Sequence, residues 1–232
     1  MRLERRIGCI VPAVDEELAI GQVIAAVPRW VDSIIVADNG STDATARIAL
    51  EHGASVVHEP RRGYGAACLA GIAALPDVDV VVFLDGDLSD HPEDMDLLVD
   101  PIARGEADLV IGSRVLGNAE RGALTPQQRF GNWLATRLIR AFWNVRFTDL
   151  GPFRAIGRAK LDDLGMQDQT FGWTDEMQIK AARDGLRTIE VPIRYRRRIG
   201  ASKISGTLKG TVLAGIKILS TIAREAARGR NP

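Results

Sequence analysis

The stretch DVVVFLDGDLSDHPEDMDLLVDPIARGEADLVIGSR, Asp79–Arg114, decides how the chain folds. Its near-continuous apolar run up to Leu84 reads as a buried strand, HPEDMDLLVDPIARG as a helix, and ADLVIGSR as a second strand. Where the first strand ends, Asp85 and Asp87 stand one residue apart across Gly86. A backbone turn at Gly86 brings both carboxylates towards one point, a spacing that suits a divalent cation and a phosphate it holds. A plain Asp- and Gly-rich turn explains the same residues, and the spacing alone leaves both readings open. Asp90, His91, Glu93 and Asp94 read as a solvated helix start, with His91 as a further candidate metal ligand.

The alternation continues on both sides of this unit. Ile7–Val14 reads as a strand, ELAIGQVIAAV as a helix, VDSIIVAD as a strand, and STDATARIALEHG as a helix with Ser41 as its cap candidate. ASVVHE is a short strand and YGAACLAGIAAL a helix of small residues. The resulting βαβαβαβαβ order predicts an α/β fold with a mostly parallel sheet, helices on both faces, and ligands at the carboxyl ends of the strands. Asp38, Asp85 and Arg114 fall at those ends. Beyond Arg114, VLGNAERGALTPQQ lacks periodicity and reads as a long functional loop. An amphipathic helix (QRFGNWLATRLIRAFWN), a turn and short strand (TDLGPFRAIG), a helix (TDEMQIKAARDG) and a strand (LRTIEVPIRY) follow. YRRRIGASKISG is a basic loop, and TLKGTVLAGIKILSTIAREAARG an amphipathic C-terminal helix.

With 232 residues, 46% of them hydrophobic, the chain has ample material for one packed domain with a short appendage. A formal net charge of zero argues against a dedicated nucleic-acid binder. From Arg187 to Pro232, however, eleven Lys/Arg face two Glu, a net +9, so the remainder is correspondingly acidic. Cys9 and Cys68 both lie in apolar surroundings and read as buried, reduced thiols, which suits a reducing cytosol. The apolar stretch after MRLERR is too short for a signal peptide, and TVLAGIKILSTIA is interrupted by Lys217, so neither export nor a membrane span is expected.

VPAVDEE, VADNGSTD, RRGYGAACLAG, LDGDLSDHPEDM, IGSR, TDLGPFRAI, GWTDEMQIKAA and RRRIGASKISG, in this order, resemble family 2 of the inverting glycosyltransferases. Within that family the likeness is to the dolichol-phosphate mannosyltransferase and polyprenyl-phosphate glycosyltransferase group. The resemblance implies the Rossmann-like GT-A fold and a nucleotide-diphospho-sugar donor. It divides the chain into a catalytic domain at 1–206 and the amphipathic helix at 207–232. Within the catalytic domain, 1–114 is the nucleotide-sugar half and 115–206 the acceptor side with the basic phosphate loop. By resemblance, Pro12, Ala13 and Glu16 touch the nucleoside, Asp38 accepts from base or ribose, and Gly65 joins the nucleotide pocket. Acids at Asp15, Glu16 and Glu17 equally suit a helix dipole, and close packing equally explains Gly65. The resemblance makes Asp85 and Asp87 the Asp-x-Asp pair for Mg²⁺ or Mn²⁺, with Asp87 the direct ligand and Asp85 on the ribose or the metal. Where the family carries Asn, a second acid and Gln, this chain has Asp15, Asn39 and Ser89.

The resemblance makes Arg198, Ser202 and Lys203 a clasp for the donor diphosphate. It makes Arg114 and Arg129 the pair for an acceptor phosphate, with Gln128 and Asn132 as rivals for the second place. A hydroxyl acceptor needs a carboxylate base, and Glu176 is the first candidate, Asp175 the second; Asp149 shapes the acceptor side. The implied reaction is metal-dependent transfer of a hexose to a polyprenyl phosphate at the cytoplasmic membrane face, with peripheral membrane contact. The same donor chemistry on a soluble hydroxyl acceptor is the alternative. A sugar-1-phosphate nucleotidyltransferase would want a Gly-rich basic loop after the first strand, where VPAVDEE puts acids; a non-catalytic nucleotide-binding module is a further alternative.

Overall fold

The computed structural model describes residues 1–200, 220–222 and 224–225. Ser202, Lys203 and most of the expected helix at 207–232 lie outside the described residues.

The elements follow the expected alternation: β1 (Ile7–Ala13), α1 (Ile20–Ala26), β2 (Ser33–Asp38), α2 (Thr45–Glu51), β3 (Ser55–His58), α3 (Tyr64–Ala74), β4 (Val80–Phe83), α4 (Met95–Ala103) and β5 (Leu109–Ala119). There follow α5 (Pro126–Trp143), β6 (Arg154–Gly157), α6 (Arg158–Leu164), α7 (Trp173–Arg183) and β7 (Thr188–Tyr195). They build one seven-stranded sheet in the order β3-β2-β1-β4-β6-β5-β7. All neighbours run parallel except around β6, which is antiparallel to both β4 and β5. Chain order reverses direction between β1 and β4, so a crevice opens at the carboxyl ends of these two strands.

Alternation along the strands sorts side chains into two cores, because successive residues of a strand point to opposite faces. Ile7, Cys9 and Val11 of β1 and Val80 and Val82 of β4 pack with Ile20, Val23 and Ile24 of α1 and Met95, Leu98 and Val99 of α4. Ile10, Val81 and Phe83 face the other way, onto Cys68 of α3, Ile139 and Trp143 of α5, Leu161 and Leu164 of α6 and Trp173 and Met177 of α7. Both cysteines are buried and unpaired, and burial pushes the Cys9 thiol up to about 12. Ile222 joins the second core and Glu225 pairs with Arg183 at 2.7 Å, so this part of the C-terminal stretch packs on its own domain.

Three local expectations are corrected. The segment after Arg114 is not one long loop: β5 runs on to Ala119, resuming its pairing with β7 at Asn118 and Ala119 after a bulge. Thr125 and Gln128 then form a capping box that starts α5, which uses Gln128 as a cap. Ser41 caps no helix, since α2 starts at Thr45 and the Ser41 hydroxyl accepts the Asp15 N–H. Nor do Asp15, Glu16 and Glu17 complement a helix dipole, because α1 begins at Ile20 and has no acid in its first turn. These acids instead lace the β1 loop to residues 41–45, through Asp15 to the Thr42 N–H and Glu17 to the Ala44 N–H.

Phe83 is fully buried against Trp173, ring centroids 5.8 Å apart, and so ties the sheet to the start of α7. Phe83→Ala is expected to cost about 3–5 kcal/mol, read as a lower urea midpoint at unchanged m-value.

Candidate active site

β4 delivers its acids to the crevice, and the sequence beyond β7 comes back to meet them. The Arg196 N–H donates to the Ser89 carbonyl at 2.9 Å and the Ile199 N–H to the Asp87 carbonyl at 3.0 Å. The Arg196 guanidinium also donates to the Leu88 carbonyl at 2.6 Å. This zipper brings Arg198 over the acids, with Nη2 3.1 Å from an Asp87 carboxylate oxygen and 3.2 Å from one of Glu16. Asp87 also accepts the Ser89 N–H, and Asp85 accepts the Tyr64 hydroxyl at 3.0 Å.

Asp90 is a correction: it is only 1% exposed, not part of a solvated helix start. Neither of its carboxylate oxygens has a hydrogen-bond partner among the described residues. Burial, with the charges of Asp85 and Asp87, holds it well above the usual carboxylate range, and burial and Asp87 push Asp85 up to about 7. His91 stands beside Glu93, at 3.8 Å, and burial and the neighbouring Arg196 and Arg194 lower its pKa.

The donor set fits a hard divalent cation only in part. Among the described residues no group of three or more His, Cys, Asp or Glu is placed to hold a metal ion. Asp85 and Asp87 supply oxygen ligands in a site short of positive charge, which suits a cation that completes its shell with phosphate oxygens and water.

Around these acids, Pro12 and Ala13 end β1 beside Ala37 and Asp38 of β2. Gly86 lies close over them: a Cβ there would sit 3.3 Å from the Ala13 Cβ. Asp38 accepts the Ser41 N–H at 3.0 Å and lies 3.0 Å from His58 Nδ1. Asn39, which stands where the family carries a second acid, brackets the next segment: its amide donates to the Glu59 and Arg61 carbonyls and its oxygen accepts the Gly63 N–H. Gly65 does not open onto a ligand. A Cβ there would meet the Asp168 carbonyl oxygen at 1.9 Å, so the bare backbone serves helix–loop packing.

Arg114 of β5 is gripped by Asp149 through two hydrogen bonds of 2.7 Å and lies over the Tyr195 ring at 5.2 Å. Asn132 is a correction, because both ends of its amide are spent on the Thr148–Leu150 turn. Glu190, unnoticed in the sequence, fixes the same turn by accepting the Thr148 and Asp149 N–H groups. Arg129 is exposed on the first turn of α5.

Glu176 is the clearest reversal. It is fully buried, pairs with Lys180 at 2.9 Å, and accepts the Gln167 and Asp168 N–H groups, so it cannot reach an acceptor. Its neighbour Asp175 accepts no hydrogen bond from the described residues, and burial pushes it up to about 7 despite the opposing charge of Arg154. Arg154, fully buried, donates to the Gly151 and Thr174 carbonyls and to Gln178.

A strand-end acid cluster beneath a basic segment, on a mostly parallel sheet with one antiparallel strand, is the GT-A arrangement of enzymes that bind nucleotide sugars. The glycosyl transferase family 2 model matches residues 9–165, and the chain belongs to that family of glycosyltransferases. It is 37% identical to an uncharacterized glycosyltransferase of Mycobacterium tuberculosis over 88% of this chain and 92% of the relative. It is 34% identical to the dolichyl-phosphate hexose transferase of Haloferax volcanii, over 92% of each chain. The fold is similar to glucosyl-3-phosphoglycerate synthase from Mycobacterium tuberculosis in complex with Mn²⁺, UDP and phosphoglyceric acid. That match has a TM-score of 0.77 and 26% identity, and covers 96% of this chain and 79% of that one.

Two neighbouring substitutions should act in opposite directions. Glu176→Ala strands Lys180 without its carboxylate and is expected to cost about 3–5 kcal/mol in denaturant unfolding. Asp175 has a folded pKa of about 7 against an ordinary 3.8, so the unfolded chain releases this proton first and stability falls as pH rises from about 4 to 7. Asp175→Asn should remove that decline and raise stability at pH 8, as read by melting temperature across the pH series.

Proposed function

We propose that the chain transfers a hexose from a nucleotide-diphospho-sugar to a polyprenyl phosphate at a membrane face, with Mg²⁺ or Mn²⁺ as cofactor. The observation that carries the donor half is the meeting of Asp87 and Glu16 with Arg198 at the carboxyl end of the sheet. A bound divalent cation would neutralise the charge that grows on the departing diphosphate. Asp87 and Asp85 would hold it, with Tyr64 fixing the Asp85 carboxylate. Arg198 would turn from Asp87 to the diphosphate, joined by Ser202 and Lys203. Pro12, Ala13 and Asp38 would line the nucleoside.

Residues 1–114 would thus serve the donor and 115–206 the acceptor, although both halves share one sheet through β6 and β7. An acceptor phosphate would approach Arg114, steadied by Asp149, with exposed Arg129 as the second cation. A phosphate is already ionised and needs no base, so the burial of Glu176 costs this reaction nothing. The likeness to a dolichyl-phosphate hexose transferase, over 92% of each chain, supports the lipid acceptor. The membrane contact in this reading is peripheral; among the described residues no helix is long and apolar enough to cross a membrane.

The alternative, a soluble hydroxyl acceptor, would draw on Asp175, whose carboxylate accepts no hydrogen bond from the described residues and is raised to about 7 by burial; at 2% exposure it would have to be uncovered to act as a base. The fold match to glucosyl-3-phosphoglycerate synthase is in keeping with it.

Labelled nucleotide sugars offered with polyprenyl phosphate should yield an acid-labile product in the organic phase; label confined to the aqueous phase would refute the lipid acceptor. Asp87→Ala should abolish both transfer and metal-dependent nucleotide binding. Asp175→Asn should leave lipid transfer within a few-fold of wild type, whereas a loss of about 10²-fold or more would identify Asp175 as a base and favour the hydroxyl reading.

A further inference from the structure

From Arg121 to Arg146 the chain carries five arginines, Arg121, Arg129, Arg137, Arg140 and Arg146, and no Asp or Glu, within a protein of zero formal net charge. All five are exposed. The stretch is built around α5, which turns Ala135, Thr136, Ile139 and Trp143 inward. Its outer face presents Phe130 at 63% and Trp133 at 51% exposure, and Phe142 is exposed on another side of the helix. Phe130, Trp133 and Arg137 follow one another at helical spacing and so share one stripe. The Phe130 and Trp133 rings lie 5.9 Å apart, and the Arg137 guanidinium sits 5.5 Å from the Trp133 ring.

Large aromatics held in water beside unopposed cations make poor sense on a freely dissolved surface. They match a helix lying in the plane of a bilayer interface, its rings at headgroup depth and its arginines on anionic lipid. The position of the stripe gives the match a use. Asn132, next to Trp133, holds the Thr148–Leu150 turn, and Asp149 of that turn grips Arg114. The exposed stripe is therefore anchored to the acceptor end of the site.

We propose that the outer face of α5, centred on Phe130, Trp133 and Arg137, docks on the anionic headgroup surface of a lipid bilayer and turns the acceptor end of the site towards it. This deepens the lipid-acceptor reading and rests on it for its purpose, but bilayer binding itself needs no acceptor, so the two can fail separately. The charge pattern favours lipid over a second copy of the chain, because two copies of this face would oppose arginine to arginine.

The test is co-sedimentation of the full chain with phosphatidylcholine vesicles, with and without phosphatidylglycerol, at low and high salt. Wild type should pellet with the anionic vesicles, more weakly in high salt, and hardly at all with neutral ones. Phe130→Ser/Trp133→Ser and Arg137→Glu/Arg140→Glu should each lower the bound fraction roughly tenfold or more while keeping the wild-type melting temperature. Both pairs are exposed; should the serine pair melt early, the arginine pair alone carries the test. The proposal is overturned if wild type stays in the supernatant with anionic vesicles, or if the folded variants bind as wild type does. It is also overturned if sedimentation equilibrium finds an oligomer that the serine pair dissolves while vesicle binding is absent. A protein that glycosylates detergent-dispersed polyprenyl phosphate yet ignores vesicles keeps the proposed reaction and loses this surface. One that binds vesicles through α5 but leaves label in water keeps the surface and loses the lipid acceptor.

Discussion

The structure depends on negative charge gathered where β4 ends. Asp85, Asp87 and Asp90 lie within six residues and are mostly or wholly removed from water. Burial disfavours each charge, and each charge disfavours the others. The fold tolerates the cluster because positive charge closes over it: the segment after β7 zips onto Asp87–Asp90 through backbone hydrogen bonds and lands Arg198 between Asp87 and Glu16. In this state Arg198 serves as the counter-ion for a site poor in cations. A metal–diphosphate pair would bring its own cation to the carboxylates and its own anion to the arginine, so both partners of the existing ion pair gain a replacement.

The sheet order explains why residues so far apart in sequence meet. β1 and β4 are central and adjacent, so the loops leaving them face one crevice. β6 enters antiparallel between β4 and β5 and carries Arg154 into the layer beneath α7. On that side the polar groups are spent on one another: Asp149 on Arg114, Asn132 and Glu190 on the Thr148–Leu150 turn, and Glu176 on Lys180. Such mutual satisfaction leaves few polar groups on that side for chemistry.

Much of this was legible in the sequence, for identifiable reasons. The parallel strands are buried on both faces and so appear as unbroken apolar runs, and the acids at their ends break those runs abruptly. What failed was discrimination among neighbours. Glu176 and Asp175 are adjacent acids at a helix start, and only the three-dimensional contacts reveal that one is locked under Lys180 while the other is not. Asp90 looked like solvated helix polarity because its burial comes from the returning segment more than a hundred residues later. For Gly65 the sequence left ligand approach and close packing both open, because the carbonyl that fills its space belongs to Asp168, far along the chain. The β5 extension was hidden because its partner is the end of β7 and the pairing is interrupted by a bulge. Apart from Glu176, whose partners lie four to nine residues away, these readings turned on long-range contacts that local pattern does not encode.

A crystal structure of the full chain grown with Mn²⁺ and a nucleoside diphosphate tests the central claim most directly. The account predicts the ion against Asp87, the diphosphate beside it, and the Arg198 guanidinium turned from Asp87 onto phosphate oxygens. An ion bound elsewhere, or a nucleotide bound while Arg198 remains clamped between Asp87 and Glu16, would contradict it.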